Sequence, residues 1–578
     1  MRTEEAADSA PGSAPPQQPR AAETWPHRLG AALRPRLTLD HLLALVLGLL
    51  VLVVHNLTYV LRLPFWLDES WVAVTTRFPL SQLRAVTNST PIGWTALLRV
   101  VTIPGTQSPR LLPLAFAGLA VVIAYWLGRQ LGWPLRTAAV CAGVLAGAAA
   151  LLVPAMLIRD DLKQYTADAC LALLVLALTS RLERDWSRRR LVALSVASWG
   201  GMLFSQAVTF VGISAFAALC VVQLARRSWA QFREACVAAA VTGVLMFGVY
   251  EAFDASAAGD GLDGGAHMQY YFLPLGSIHA AASFVVNRFD QASVYFGLGP
   301  SWLAVPLVVA GIATMFWLRR PVTALAFVLL WPIVLAVNAV RRYPFLELRT
   351  NTYLFALTAV VAAIGAIGVS SWLPRAVTWT ARAARKRSLP EQAAGTNPGP
   401  PRRRPWYATA MAVWLACACV AAGSGFAWAA RPYMRVQPIP DQDMRGQTQY
   451  VFTHAASDDV ILVDTTSSFG FAYYWPVGRP AQRLGAAVAQ QYEPYFPSQP
   501  RIVVALNVDA DGVDPAVSRA AQEARSRSCA RIWLVTSQES PARWAEWTTA
   551  LAQRALRASP VAAAPGLYVV KVSGPGCP

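Results

Sequence analysis

Charge is what this chain has least of. Only 14% of its 578 residues are Asp, Glu, Lys or Arg, where soluble chains run near a quarter. With 55% hydrophobic residues and a mean hydropathy of +0.38, a wholly soluble protein is excluded. Lysine is scarcer still. Three of the 50 basic residues are Lys (Lys163, Lys386 and Lys571), and the rest are Arg. The net charge of +18 sits in short clusters between apolar runs, where positive charge sets membrane orientation. Nucleic-acid binding needs a basic face on a folded domain, so no nucleic-acid partner is expected. Of eight cysteines, none has metal-ligand spacing with His. Acids are almost missing from the middle of the apolar runs, which argues against an ion-coupled transporter. No internal repeat is visible, which argues the same way. No cleavable signal peptide is expected either: the first apolar run is too long for one and begins too late.

What is present is a succession of apolar runs. A bilayer core needs about 20 apolar residues per helix. Candidate spans are 41–62, 110–130, 136–157, 166–182, 191–205, 207–225, 234–253, 298–318, 321–340, 350–373 and 406–430. Ser205-Gln206 interrupts the pair 191–205 and 207–225, which reads as a broken or re-entrant pair. The expected fold is therefore mainly α, a polytopic membrane helix bundle of about eleven spans. Residues 1–39, rich in Ala, Pro, Gln and Arg, read as a disordered cytoplasmic tail. The core is 40–373. A linker, 374–405, carries eight basic residues and one acid and contains Asn397-Pro398-Gly399-Pro400-Pro401. A last span, 406–430, leads to a small α/β domain, 431–578. Apolar strand-like stretches at 460–463, 501–507, 532–536 and 567–572 alternate there with helical ones.

Arg and Lys clusters alternate correctly when the N-terminus and the linker are cytoplasmic. The first loop, 158–165, 254–297, 341–349 and the C-terminal domain then lie outside. Cys529 and Cys577 are the only cysteines beyond the last span. In an oxidising compartment they are expected to pair, which would need either a final strand antiparallel to 532–536 or a tail folded back over the sheet.

Three stretches carry chemistry. Leu61-Arg62-Leu63-Pro64-Phe65-Trp66-Leu67-Asp68-Glu69-Ser70-Trp71 follows the first run directly. Proline stops the helix, and two carboxylates arrive in an aromatic frame. Trp favours the membrane–water boundary, so the acids sit near headgroup depth; the alternative is a solvated loop. In Arg159-Asp160-Asp161-Leu162-Lys163-Gln164-Tyr165-Thr166-Ala167-Asp168 the chain departs from its Arg habit and places a Lys. A compact ammonium among acids and a Tyr suits a phosphate; the alternative is again a polar loop. Arg341-Arg342-Tyr343-Pro344-Phe345-Leu346-Glu347-Leu348-Arg349 puts basic residues on the outer side, to bind a lipid phosphate, balance acids or anchor at headgroups.

The order of these motifs resembles the GT-C superfamily of membrane glycosyltransferases, in its RgtA/B/C/D-like, protein-mannosyltransferase-related branch. The likeness covers about 41–373. Asp68-Glu69 stands in the first outer loop. Thr90-Pro91-Ile92-Gly93-Trp94-Thr95-Ala96-Leu97-Leu98-Arg99 is similar to the family's Pro-containing outer helix, and departs from it at Ile92-Gly93-Trp94, where relatives often carry a second Pro and a Tyr. Ser108-Pro109-Arg110-Leu111-Leu112-Pro113 leads into Tyr125-Trp126-Leu127-Gly128-Arg129. Lys163-Gln164-Tyr165-Thr166-Ala167-Asp168 and Arg342-Tyr343-Pro344-Phe345 are similar to the two later outer-loop motifs.

The resemblance implies transfer of a hexose or pentose from a polyprenyl-phosphate donor to a glycan, lipid or protein acceptor of the cell envelope. Asp68, with Glu69 as second choice, would be the general base. Lys163 with Arg342 or Arg349 would hold the donor phosphate, and Asp160, Asp161, Tyr165 and Asp168 belong to the second outer-loop motif. Asp68 and Glu69 together would be the ligands of a divalent cation if one is used; the family includes members with and without metal. Rival readings are a transporter of lipid-linked saccharide and a non-catalytic scaffold presenting 431–578.

Overall fold

The computed structural model describes residues 38–83, 90–153, 162–254, 266–387, 405–431, 443–484, 492–505, 510–527, 530–537 and 540–572. It comprises two compact units, Met1–Leu42 and Leu43–Pro578. The described end of the first is the opening turn of helix α1 (Leu39–Val54), where the Leu42 N–H donates to the Thr38 carbonyl. Everything below concerns the second unit.

The apolar runs fold as helices. α1 stops at a turn in which Asn56 takes φ +46°, a left-handed conformation that Asn tolerates. A short α2 (Leu57–Arg62) follows, and Pro64 ends it. Trp66, in an extended conformation, opens α3 (Leu67–Thr75). Next come α4 (Ile92–Val101), α5 (Leu111–Arg129), α6 (Arg136–Leu151), α7 (Tyr165–Arg184), α8 (Arg188–Gly201), α9 (Val208–Ala225) and α10 (Trp229–Val249). The bundle continues with α11 (Ile278–Ser293), α12 (Ser301–Trp317), α13 (Pro321–Ala339), α14 (Thr352–Arg387) and α15 (Pro405–Ala430).

Among the described residues, seven helices are long and apolar enough to cross a membrane. The other expected spans come out shorter or broken. The run 41–62 is cut at His55-Asn56, 136–157 gives the 16-residue α6, 191–205 the 14-residue α8, and 298–318 the 17-residue α12. The chain between α8 and α9 is non-helical at Ser205, as the interruption there suggested. α14 continues past residue 373, so the first part of the expected linker is helical, while Asn397 to Pro401 lie outside the described residues.

α14 is the axis of the bundle. Every residue from Tyr353 to Ile364 is at most 1% exposed, as an all-round apolar helix must be. It meets α12 backbone to backbone. A Cβ on Gly311 would stand 2.0 Å from the Val361 carbonyl oxygen, and one on Gly365 2.1 Å from that of Leu307. In lipid, where apolar transfer gives no drive between helices, small residues supply this close packing.

Beyond the bundle lie α16 (Met444–His454), β1 (Val460–Val463), α17 (Thr465–Tyr474), β2 (Ala481–Leu484), β3 (Tyr492–Tyr495), β4 (Ile502–Val504), α18 (Ala510–Ser526), β5 (Ile532–Val535), α19 (Pro541–Ala552), β6 (Arg557–Pro560) and β7 (Leu567–Lys571). β2 and β3 form a separate antiparallel pair that the sequence reading missed, as it missed β6. The main sheet has the order β4-β1-β5-β7-β6, with β4, β1 and β5 parallel and β7 antiparallel to β5. That is one of the two arrangements the expected pairing would need; Cys529 and Cys577 lie outside the described residues.

The sheet's two faces differ in what covers them. Alternate residues point to opposite faces. Val460, Leu462, Ile532, Leu534 and Val570 pack under α18 and α19. Ile461, Val463, Trp533, Val535 and Leu567 share one core with Met444 and Phe471, and also with Phe65, Val72, Phe78, Trp94 and Leu98 of the bundle's first loop and α4. The C-terminal domain is thus fused, through a common apolar core, to the stretch that carries Asp68 and Glu69.

Candidate active site

Asp68 and Glu69 occupy the first turn of α3, where a helix favours negative charge. Successive helix residues are about 100° apart, so the two carboxylates leave in different directions and meet different partners.

Glu69 turns inward and is fully buried. Arg110, itself 1% exposed, forks onto it, Nε to Oε1 at 2.8 Å and Nη2 to Oε2 at 2.5 Å. The remaining guanidinium donors reach the carbonyls of Val60 (2.5 Å), Leu63 (2.7 Å) and Pro64 (3.1 Å). Arg110 also lies 4.8 Å over the Phe65 ring. This fork ties the end of α2 and the proline turn to the start of α3. Both Glu69 oxygens are taken, so the residues present do not fit a cation held jointly by Asp68 and Glu69. Among the described residues, no three His, Cys, Asp or Glu gather as a metal site.

Asp68 turns outward and keeps 20% of its side chain exposed. Two cations from distant segments converge on its Oδ2: Arg349 Nη1 at 2.5 Å and Lys163 Nζ at 3.8 Å. Among the described residues Oδ1 receives no hydrogen bond. The tryptophans flanking the acids back the cations. Trp71 lies 5.6 Å from the Lys163 ammonium, and Trp66 5.9 Å from the Arg349 guanidinium, within cation–π range.

Arg349 is held from its own loop. The Glu347 carboxylate accepts the backbone N–H of Arg349 at 3.0 Å and of Thr350 at 2.8 Å, and stands 3.7 Å from the Arg349 Nε. The Tyr343 hydroxyl donates to the Thr350 carbonyl. Burial, followed by the neighbouring Tyr353 and Asp168, keeps Tyr343 well above the usual phenol range, so it stays a neutral donor. Asn338 joins this loop to the segment before α11 by accepting from Leu273 N–H and donating to the Tyr271 and Tyr343 carbonyls.

Three of the expected residues, Asp68, Lys163 and Arg349, therefore meet. Arg342 has an exposed side chain. Tyr165 begins α7 and is buried. Asp168 is buried one turn further on, beside Ser205 and Ala207 in the break between α8 and α9. Asp160 and Asp161 lie outside the described residues.

The C-terminal domain steadies the same region, which sequence reading did not foresee. The Tyr474 hydroxyl accepts from the Phe65 N–H at 3.0 Å and from the Gln107 amide at 3.1 Å. Burial pushes Tyr474 up to about 12, so it too stays neutral. Just past α3, Arg77 donates to the carbonyls of Ala472, Tyr473, Trp475 and Gly478. At the carboxyl end of β1 in the domain's parallel sheet, Asp464 accepts from Arg543 and from the Trp547 indole.

No family model matches the sequence, and no curated protein matches it. Among solved structures, ArnT from Cupriavidus metallidurans bound to undecaprenyl phosphate is similar over 92% of this chain and 98% of that one, at 14% identity and a TM-score of 0.50. The apo state of the same protein gives 16% identity and a TM-score of 0.49 over the same shares. The archaeal oligosaccharyltransferase AglB from Archaeoglobus fulgidus, in complex with an inhibitory peptide and a dolichol-phosphate, covers 93% of this chain and 75% of its own, at 14% identity and a TM-score of 0.45. Membrane-length helices followed by a small C-terminal α/β domain, matched to ArnT over nearly the whole length of both chains, give this chain a fold of the GT-C type.

Proposed function

We propose that the protein is an integral-membrane glycosyltransferase that moves a sugar from a polyprenyl-phosphate donor to a cell-envelope glycan, lipid or protein on the outer side of the cell membrane. The observation that carries this reading is the convergence of Lys163 and Arg349 on one oxygen of Asp68 at the end of a GT-C bundle. Transfer from a lipid phosphate needs a base for the acceptor hydroxyl and fixed positive charge for the leaving phosphate. This cluster supplies both within a few ångströms.

Asp68 Oδ1 takes the acceptor hydroxyl proton, for which a base must come within about 2.6–3.2 Å. The acceptor oxygen bonds to the anomeric carbon as the bond from that carbon to the phosphate oxygen breaks. The electron pair leaves with the phosphate, where Lys163 and Arg349 neutralise it, the electrostatic role that usually dominates. A single displacement of this kind inverts the anomeric centre. Glu69 has no part in these steps, because Arg110 occupies it. Asp68 and the donor phosphate compete for the same two cations, so donor binding loosens the carboxylate for its work as a base. The positive-inside pattern supports an N-terminus in the cytoplasm and the Asp68 end outside.

The test is sugar transfer by purified full-length protein in nanodiscs, with radiolabelled polyprenyl-phosphate sugars and an envelope extract as acceptor source. Wild type should transfer label from one donor. Asp68→Asn should be folded and inserted yet lose about 100-fold or more of the rate. Wild-type transfer by Asp68→Asn would remove Asp68 from the chemistry. Saccharide translocation without transfer would favour a transporter.

A further inference from the structure

Lys163 owes its place to a residue outside the charged cluster. It stands at the mouth of α7, and Leu162, immediately before it, is fully buried. The Leu162 carbonyl accepts the Trp94 indole N–H at 2.7 Å. Trp94 is itself fully buried, with its ring edge-on to Phe116 at 5.4 Å. Its backbone N–H donates to the Leu203 carbonyl at 3.2 Å, in the break between α8 and α9. Gly93 makes that approach possible: a Cβ there would stand 2.6 Å from the Leu203 carbonyl oxygen and 2.9 Å from the Phe204 ring. From the other side, the buried Asp168 of α7 lies beside Ser205 and Ala207 of the same break. Trp94 thus ties the break to Leu162, the residue next to Lys163, through its own backbone and side chain.

We infer that Trp94 is a positioning residue for Lys163: its indole N–H fixes the Leu162 carbonyl and so sets the ammonium against Asp68 and the donor phosphate. The inference rests on reading Lys163 as a phosphate partner. It gives the Gly93-Trp94 pair and the interrupted α8–α9 run a single purpose. An ammonium on a flexible four-carbon stem has little directional preference of its own, so where its backbone is pinned decides which anion it meets.

The experiment is a double-mutant cycle on the affinity of the full-length protein, in nanodiscs, for a polyprenyl monophosphate. Lys163→Ala should weaken binding about 10-fold or more, the scale of one hydrogen bond to a charged group. Trp94→Phe, which keeps the ring and removes the donor, should weaken it about three- to tenfold. The double variant should bind no worse than Lys163→Ala alone, because Trp94 acts through Lys163. Benzothienylalanine at position 94, isosteric with Trp but lacking the N–H, should reproduce Trp94→Phe and serves as the readout if the Phe variant fails to insert. Wild-type affinity in both Trp94 variants, or losses that multiply in the double variant, would overturn the inference while leaving the site intact. Unchanged affinity in Lys163→Ala would overturn the phosphate reading and this inference with it.

Discussion

Two neighbouring acids on one helical turn have opposite surroundings. Glu69 and Arg110 are 0% and 1% exposed and satisfy each other in a fork, with backbone carbonyls absorbing the other guanidinium donors. Asp68, Arg349 and Lys163 keep 20%, 26% and 14% of their side chains exposed, and two cations share one oxygen. A closed, saturated pair has nothing left to offer a ligand. An open cluster in which two cations share one carboxylate oxygen can exchange partners. Adjacent carboxylates of the same chemical class thus serve architecture in one case and fit a reaction in the other, and what separates them is a rotation of about 100° around α3.

The largest effect is expected from breaking the closed pair. Arg110→Ala leaves a buried, uncompensated Glu69, a change that typically costs about 3–5 kcal/mol. It should sharply lower the Tm in detergent and the yield of inserted protein. Asp68→Asn should shift the Tm by no more than a degree or two, because that side chain is partly wet and its partners can turn to solvent. Equal Tm losses in the two variants would erase the distinction drawn here.

Next in size is Arg349, on the open side. Arg349→Ala should lower kcat/KM for the lipid donor about 10- to 100-fold, the scale of one charge-assisted contact. Arg349→Lys should recover part of that loss, since a point charge replaces the fork without its geometry. A variant with normal donor kinetics but lower stability would move Arg349 to the structural side of the comparison.

The smallest effect concerns the contact between the C-terminal domain and the Asp68 turn. Tyr474→Phe leaves the Phe65 N–H and the Gln107 amide without their shared acceptor. The expected cost is about 1–2 kcal/mol, read as a modest fall in Tm. Because Phe65 lies three residues before Asp68, kcat should fall with it. An unchanged kcat would mean that the domain stabilises the loop without setting the position of the carboxylate.

Much of the fold is legible in the sequence, for a local reason. Apolar runs of membrane length declare their helices, and apolar strand-like stretches between helical ones declare the small sheet. Two of the four runs that came out short explain themselves too: Asn56 in the first and Ser205 in the fifth break the pattern where the helices break. β2, β3 and β6 escaped because Ala481–Leu484, Tyr492–Tyr495 and Arg557–Pro560 carry Arg, Glu, Pro and Ser with no clean alternation. The candidate site was half legible. Lys163 stood out as a Lys in an Arg-rich chain, and Asp68 by its place after the first run.

The sequence by itself determined that the protein lives in a membrane, that its charged chemistry gathers in loops at the ends of helices, and that a compact sheet domain follows the last span. Each of these depends on composition and period, which any short window of the chain carries. Tertiary structure alone decided which acid faces inward, that Arg110 and not a ligand neutralises Glu69, and that Lys163 and Arg349, 186 residues apart in the chain, reach one oxygen. It also decided that the C-terminal sheet shares its core with the Asp68 turn. Pairings of that kind depend on helix rotation and on close packing between distant segments. Burial then sets what each charge can do, since a carboxylate with no access to water must be satisfied by the protein, while one at a wet edge can still trade partners.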